Sequence, residues 1–105
     1  MEKVIKVGGR DVPILMSADT LRVYRRTFSR DLMVDMQSMQ DRLDAEVMEN
    51  LLWVSAKAAD PELPDIDEWL KGFTPFAVIM ASGDILQAWN EENATLSTPK
   101  KKQTP

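Results

Sequence analysis

Neither cysteine nor histidine occurs anywhere in the 105 residues. Without cysteine no disulfide can staple the fold, and nothing points to an oxidising compartment. Without either residue the chain lacks thiol nucleophiles, imidazole general bases and the usual zinc ligands. Glycine is scarce, with 4 residues, and none of it forms a phosphate-binding loop. Gly8-Gly9 has no helix opening directly behind it and no Lys-Ser/Thr signature. Long apolar runs are missing too: no stretch approaches the ~20 residues that span a bilayer. The opening Met1-Glu2-Lys3-Val4-Ile5-Lys6 lacks the apolar core of a signal peptide. The expectation is a cytoplasmic protein with no membrane partner.

A hydrophobic fraction of 44% with 29% charged residues is that of a folded chain rather than a disordered one. Its length suits one domain with one modest core. The net charge of −4 is unevenly spread. Lys100, Lys101 and Lys102 crowd the end of the chain; set them aside from the 13 basic residues and 10 remain against 17 acidic, a balance near −7. A body so acidic repels a phosphate backbone, so no nucleic-acid partner is expected.

Val4 to Val7 and Arg10 to Met16 are β-rich runs around Gly8-Gly9, which predicts a hairpin with a tight turn of positive φ. Val12, Ile14 and Met16 fall on one face, the one to bury, while Leu15 spoils the alternation. Pro13 cannot donate to a ladder and marks an edge. A lone hairpin is marginal in water, so it must lean on helices. Ser17 predicts an N-cap, with Asp19 in the first turn. Leu21, Tyr24, Phe28, Leu32, Met36, Met39 and Leu43 then recur every three or four residues as one amphipathic stripe, with a break expected between Phe28 and Leu32. Arg22, Arg26 and Arg30 lie opposite and read as a solvated face.

A second helix is predicted from about Leu43 to Ala59, burying Leu43, Val47, Leu51, Val54 and Ala58. Asp60-Pro61-Glu62-Leu63-Pro64 should stop it. Asp65 and Glu68 fit a capping box for a short helix with Trp69 and Leu70, ending at a left-handed Gly72. Thr74 with Pro75 should open a last helix through Trp89. After Asn90 the periodicity stops. The predicted architecture is mainly α with a small N-terminal β-hairpin (α+β): about four helices over residues 1–92, then a flexible polar and basic tail over 93–105.

Chemistry is hard to assemble from what remains. Read as a calcium loop from Asp60, the acidic cluster puts Asp65 where glycine is needed and Lys71 where a bidentate glutamate is needed. Capping and solubility account for those carboxylates, and no metal or other cofactor is expected. Nothing selects a particular Ser–Lys or paired-carboxylate site. Binding surfaces are better represented. Trp53 falls about 100° or more from the apolar face of its helix, and either packs under the Pro61–Pro64 loop or protrudes as an anchor. Met33, Met36 and Met39 form a soft, polarizable patch suited to core filling or to adaptable binding. In the last helix Phe76, Ile79, Met80 and Leu86 occupy one side, with Val78, Ile85 and Trp89 on another. A helix so apolar is either central to the core or shared with a partner. The candidate interface residues are therefore Met33, Met36, Trp53, Phe76, Ile79, Met80, Ile85, Leu86 and Trp89.

The order of features is also informative. After the hairpin come Leu21-Arg22-Val23-Tyr24-Arg25-Arg26-Thr27-Phe28-Ser29-Arg30-Asp31-Leu32, then Leu51 to Asp60 with its WxxAKxAD stretch, then Glu68-Trp69-Leu70. Over about residues 2–92 this resembles the tail assembly chaperone family of long-tailed phages and prophages of Gram-positive bacteria. The resemblance implies a non-enzymatic role in virion assembly: binding the tape measure protein, keeping that long apolar helical client soluble, and aiding polymerisation of the tail tube protein around it. It further implies action in the host cytoplasm and absence from the mature virion, while the apolar last helix adds the expectation of a homo-oligomer. Such chaperones are often made in two forms by a ribosomal frameshift, and Lys100-Lys101-Lys102 fits either an adenine-rich slippery site or a solubilising tail. The alternative is a small protein-binding adaptor or antitoxin-like regulator. A helix-turn-helix DNA reader fits poorly, because the Arg-rich helix directly follows a hairpin and has no paired short helix.

Overall fold

Gly8 and Gly9, at φ 59° and 82°, are both left-handed, as a two-residue turn between right-twisted strands requires. They join β1 (Glu2–Val7) to antiparallel β2 (Arg10–Leu15), in a register running from Val7 opposite Arg10 to Glu2 opposite Leu15. Counting alternately from the turn-closing pair, Pro13 opposite Val4 falls where no ladder bond is made, so its missing N–H faces outward. Ile5, Val7, Val12 and Ile14 bury one face, with Met16 just beyond. On the other, Lys6 and Asp11 pair across the strands at 2.8 Å. The burial predicted for Val12, Ile14 and Met16 is what the structure has.

The structure, a computed structural model, describes residues 2–97; Lys100–Lys102 and the rest of the predicted tail from 98 onward lie outside the described residues. Among these residues six helices follow the hairpin, α1 (Ala18–Phe28), α2 (Leu32–Ser38), α3 (Ala45–Ala59), α4 (Ile66–Leu70), α5 (Ala77–Met80) and α6 (Ser82–Ser97). The α+β class is as predicted; the helices are more divided. Ser17 caps α1, its hydroxyl accepting from the Asp19 amide while the Thr20 hydroxyl accepts from the Ser17 amide. Ser29, left-handed at φ 56°, ends α1 at the expected break. Asp31 then caps α2 through the amides of Met33 and Val34. The stripe predicted to run on to Leu43 breaks a second time after Ser38. Asp44 restarts the chain by capping the amides of Glu46 and Val47, which leaves Leu43 outside any helix and exposed.

The centre of the molecule is α3. Its residues Val47, Met48 and Asn50 to Ala56 are buried all round, with β2, α1, α5 and α6 packed about them. The last helix was expected to be either central or shared with a partner; the central helix is α3, which is covered on several sides at once. Ala58, predicted to be inward, is exposed. The stop at Asp60 is as expected, and the loop behind it is pinned back onto α3. The Trp53 indole donates to the Pro64 carbonyl at 3.0 Å, and the Lys57 ammonium donates to the Leu63 carbonyl.

Asp65 caps α4 through the Glu68 amide, but the Glu68 carboxylate turns to Lys71 at 3.4 Å instead of back to the cap. Only half of the predicted box forms. Gly72 is not left-handed. A Cβ there would lie 2.9 Å from Nη1 of Arg10, the end of a flexible side chain that could shift to admit it. That guanidinium donates to the Gly72 carbonyl and lies 4.3 Å from the centre of the Phe73 ring. The last helix, predicted to start at Pro75 behind a Thr74 cap, begins at Ala77, with no side-chain cap at Phe76. It is interrupted at Ala81, before the weak helix formers Ser82 and Gly83, and then runs to Ser97, beyond the point where apolar periodicity ends.

Candidate functional site

α2 and α6 face each other across a groove of about 290 Å³. One wall carries Met33, Met36 and Gln37 from α2, and the connection behind it adds Met39, Gln40 and Leu43. The other carries Leu86, Trp89 and Asn90 from α6. Both helical walls use the same spacing, i, i+3 and i+4, which sets three side chains on one face. No lining side chain is charged. Four of the sequence-predicted residues, Met33, Met36, Leu86 and Trp89, thus come together although the chain separates them by some fifty positions.

The remaining candidates divide by burial. Phe76 and Met80, one helical turn apart, are 72% and 82% exposed, form a separate apolar pair, and do not line the groove. Ile79 beside them is half-buried. Ile85 and Trp53 belong to the core: Ile85 is inaccessible, and Trp53 sits under the 60–64 loop in an edge-to-face arrangement with Phe28, ring centroids 6.2 Å apart. Neither is available as an anchor, because α3 and its surroundings cover them. Trp89 is mostly core as well, at 8% exposure, and offers the groove only an edge.

Behind the groove wall lies a polar cluster that sequence reasoning missed. Asp35 points inward from α2 and is, among the described residues, the only charged one that is buried. Its carboxylate accepts from the Tyr24 hydroxyl at 2.8 Å and from a two-pronged Arg30 guanidinium at 2.8 and 2.9 Å. The Arg30 bonds hold the Asp35 carboxyl below the usual carboxylate range, against the opposing effect of burial. Burial, and then donation to Asp35, push the Tyr24 phenol up. Near neutral pH the cluster is therefore a neutral phenol, a carboxylate and a guanidinium. Arg22, Arg26 and Arg30 are all exposed, as predicted, but the Arg30 guanidinium also reaches in to Asp35. One signal was present in the sequence: Leu32, Asp35 and Met36 share the i, i+3, i+4 spacing, so an acid sat on the inward stripe.

Every oxygen of that carboxylate is engaged, which leaves it little scope as a base. Among the described residues no three His, Cys, Asp or Glu side chains gather as a metal site, and no helix is long and apolar enough to cross a membrane. The arrangement suits contact with apolar side chains of another molecule. Comparison with protein-family models, with curated proteins and with solved structures finds no match to this chain.

Proposed function

We propose that this protein is a tail assembly chaperone of a long-tailed phage or prophage, which binds apolar helical segments of the tape measure protein in the groove between α2 and α6. The observation that carries the reading is the lining of that groove, soft and apolar with an amide rim and no charge. An apolar helix needs such a site, because any charge left unpaired against it would be desolvated without compensation. Methionine, unbranched and polarizable, adapts to many side-chain shapes along a long client. The role is one of binding, without catalysis, in the cytoplasm of the host. Phe76 and Met80 supply a second apolar contact, which we assign to self-association.

The test is co-expression with the tape measure protein encoded beside it, followed by light scattering of the soluble fraction. The wild-type protein should keep the client soluble. Met33→Glu should not, since it sets a charge in the groove at a position that is 53% exposed and near the start of α2, where the fold tolerates it. A client that aggregates identically with and without the protein would refute the proposal and favour a small adaptor with a single protein target.

A further inference from the structure

One wall of the groove rides on α2, so the groove is only as well defined as the placement of that helix. At seven residues, α2 is well below the ~12–15 that hold a helix together in water. Its position comes from what it is fastened to. Apolar fastening is thin: Leu32 is the one hydrophobic side chain of α2 inside the core, with Met36 at its edge. The other inward side chain is Asp35, held by Tyr24 from α1 and by Arg30 from the turn between the helices. Such a pair adds little adhesion, because desolvation offsets most of its attraction and an apolar replacement is often as stable. Direction is what it supplies. A leucine at this position could bury in several orientations, whereas a carboxylate meeting a planar fork and a phenol accepts one. Met33 and Met36 lie on either side of Asp35 in sequence, so turning α2 about its axis would swing them away from Leu86 and Trp89.

We infer that Asp35, clamped by Arg30 and Tyr24, is a positioning residue that fixes the rotation of α2 and so keeps Met33 and Met36 facing α6. The inference rests on the groove being the client site. Its test uses the full chain and two variants. The first, Asp35→Asn, keeps an acceptor for Tyr24 and loses the charge that holds the fork. The second, Tyr24→Phe with Asp35→Leu, removes the phenol and the carboxylate together and leaves the part-exposed Arg30 guanidinium to water. Amide hydrogen exchange reads the free protein. Fluorescence anisotropy reads capture of a synthetic amphipathic helix of about 18 residues, leucine on one face and glutamine on the other.

In Asp35→Asn, exchange should quicken by about tenfold over residues 32–44, the equivalent of about 1.4 kcal/mol, with α3 still protected. The double variant should remain folded, with α3 still protected, and yet capture the probe about tenfold more weakly. Undiminished capture by the folded double variant would overturn the inference. So would exchange in Asp35→Asn that stays at the wild-type rate over 32–38, or that rises equally in α3. If the wild-type protein fails to capture the probe, the groove reading falls, while exchange in the free protein still decides whether Asp35 positions α2.

Discussion

Replacing Gly8 and Gly9 by alanine, one at a time, measures how closely the hairpin is seated on the helices. Both glycines have positive φ, 59° and 82°, so either alanine carries the left-handed penalty of about 1–2 kcal/mol, part of it offset by a stiffer unfolded chain. Their surroundings differ. A Cβ on Gly9 meets nothing within 4 Å, while a Cβ on Gly8 would stand 3.0 Å from Cβ of Ala77 at the start of α5. Carbon atoms prefer about 3.5–4.0 Å, and neither partner is a flexible side-chain end that could swing aside. Overpacking of this kind costs about 1–3 kcal/mol. Gly9→Ala should therefore lose about 1 kcal/mol and Gly8→Ala about 2–4 kcal/mol. Urea titration monitored by tryptophan fluorescence gives both numbers, and each kcal/mol should also lower the melting temperature by about 4–8 °C. Adding Ala77→Gly should relieve the Gly8 variant and do nothing for the Gly9 variant. Equal losses for the two alanines, or no coupling with Ala77, would refute the close seating of the turn on α5.

Two further substitutions probe electrostatics and the central helix. Burial, with Glu46 and Asp44 nearby, raises the Glu49 carboxyl above its ordinary value of 4.5, so the folded state takes up its proton first and stability rises as pH falls from neutral toward 4.5. Glu49→Gln should flatten that rise and gain up to about 0.5 kcal/mol at pH 7; a urea midpoint that falls steadily from pH 7 to about 5 would contradict it. The Asp35 carboxyl, held below 3.8 by Arg30, acts with the opposite sign: its contribution is complete above 3.8 and is lost only as pH falls through its lowered value. Trp53→Phe removes the indole bond to the Pro64 carbonyl and some buried volume. It should lower stability by about 2 kcal/mol and speed proteolysis in the 60–64 loop, and a variant as resistant as wild type would show that the loop is held by other contacts.

The parts of this fold legible from sequence are those decided within a few residues. Gly8-Gly9 demands its turn whatever surrounds it, Ser17 and Asp65 each find an amide one turn ahead, and Pro61 with Pro64 ends α3 from its own chemistry. Gly72 shows where local reasoning fails. Its position after a short helix suggested a left-handed cap, yet its φ is not positive, and its carbonyl instead receives Arg10, which arrives from the hairpin. The second break in the stripe was hidden likewise. Met36, Met39 and Leu43 keep helical spacing in sequence, but Asp44 finds its amides ahead of it and begins a new helix.

Burial around α2 explains why four of the groove's residues could be named from the sequence and the groove itself still not be seen. Leu32, Asp35 and Met36 share an inward face; Met33, Met36 and Gln37 share the groove face; the two differ by a single residue's turn and overlap at Met36. Periodicity therefore reports that α2 is amphipathic and leaves open which face meets the body. An apolar side chain cannot decide it, since Leu32 and Met33 would be equally content inside. Asp35 can, because a carboxylate is buried only where donors already wait, and the waiting donors, Tyr24 and Arg30, lie on the body side. The charged residue that looked least like part of a core is the one that assigns the apolar residues their sides, and the methionines are left to the groove by that choice.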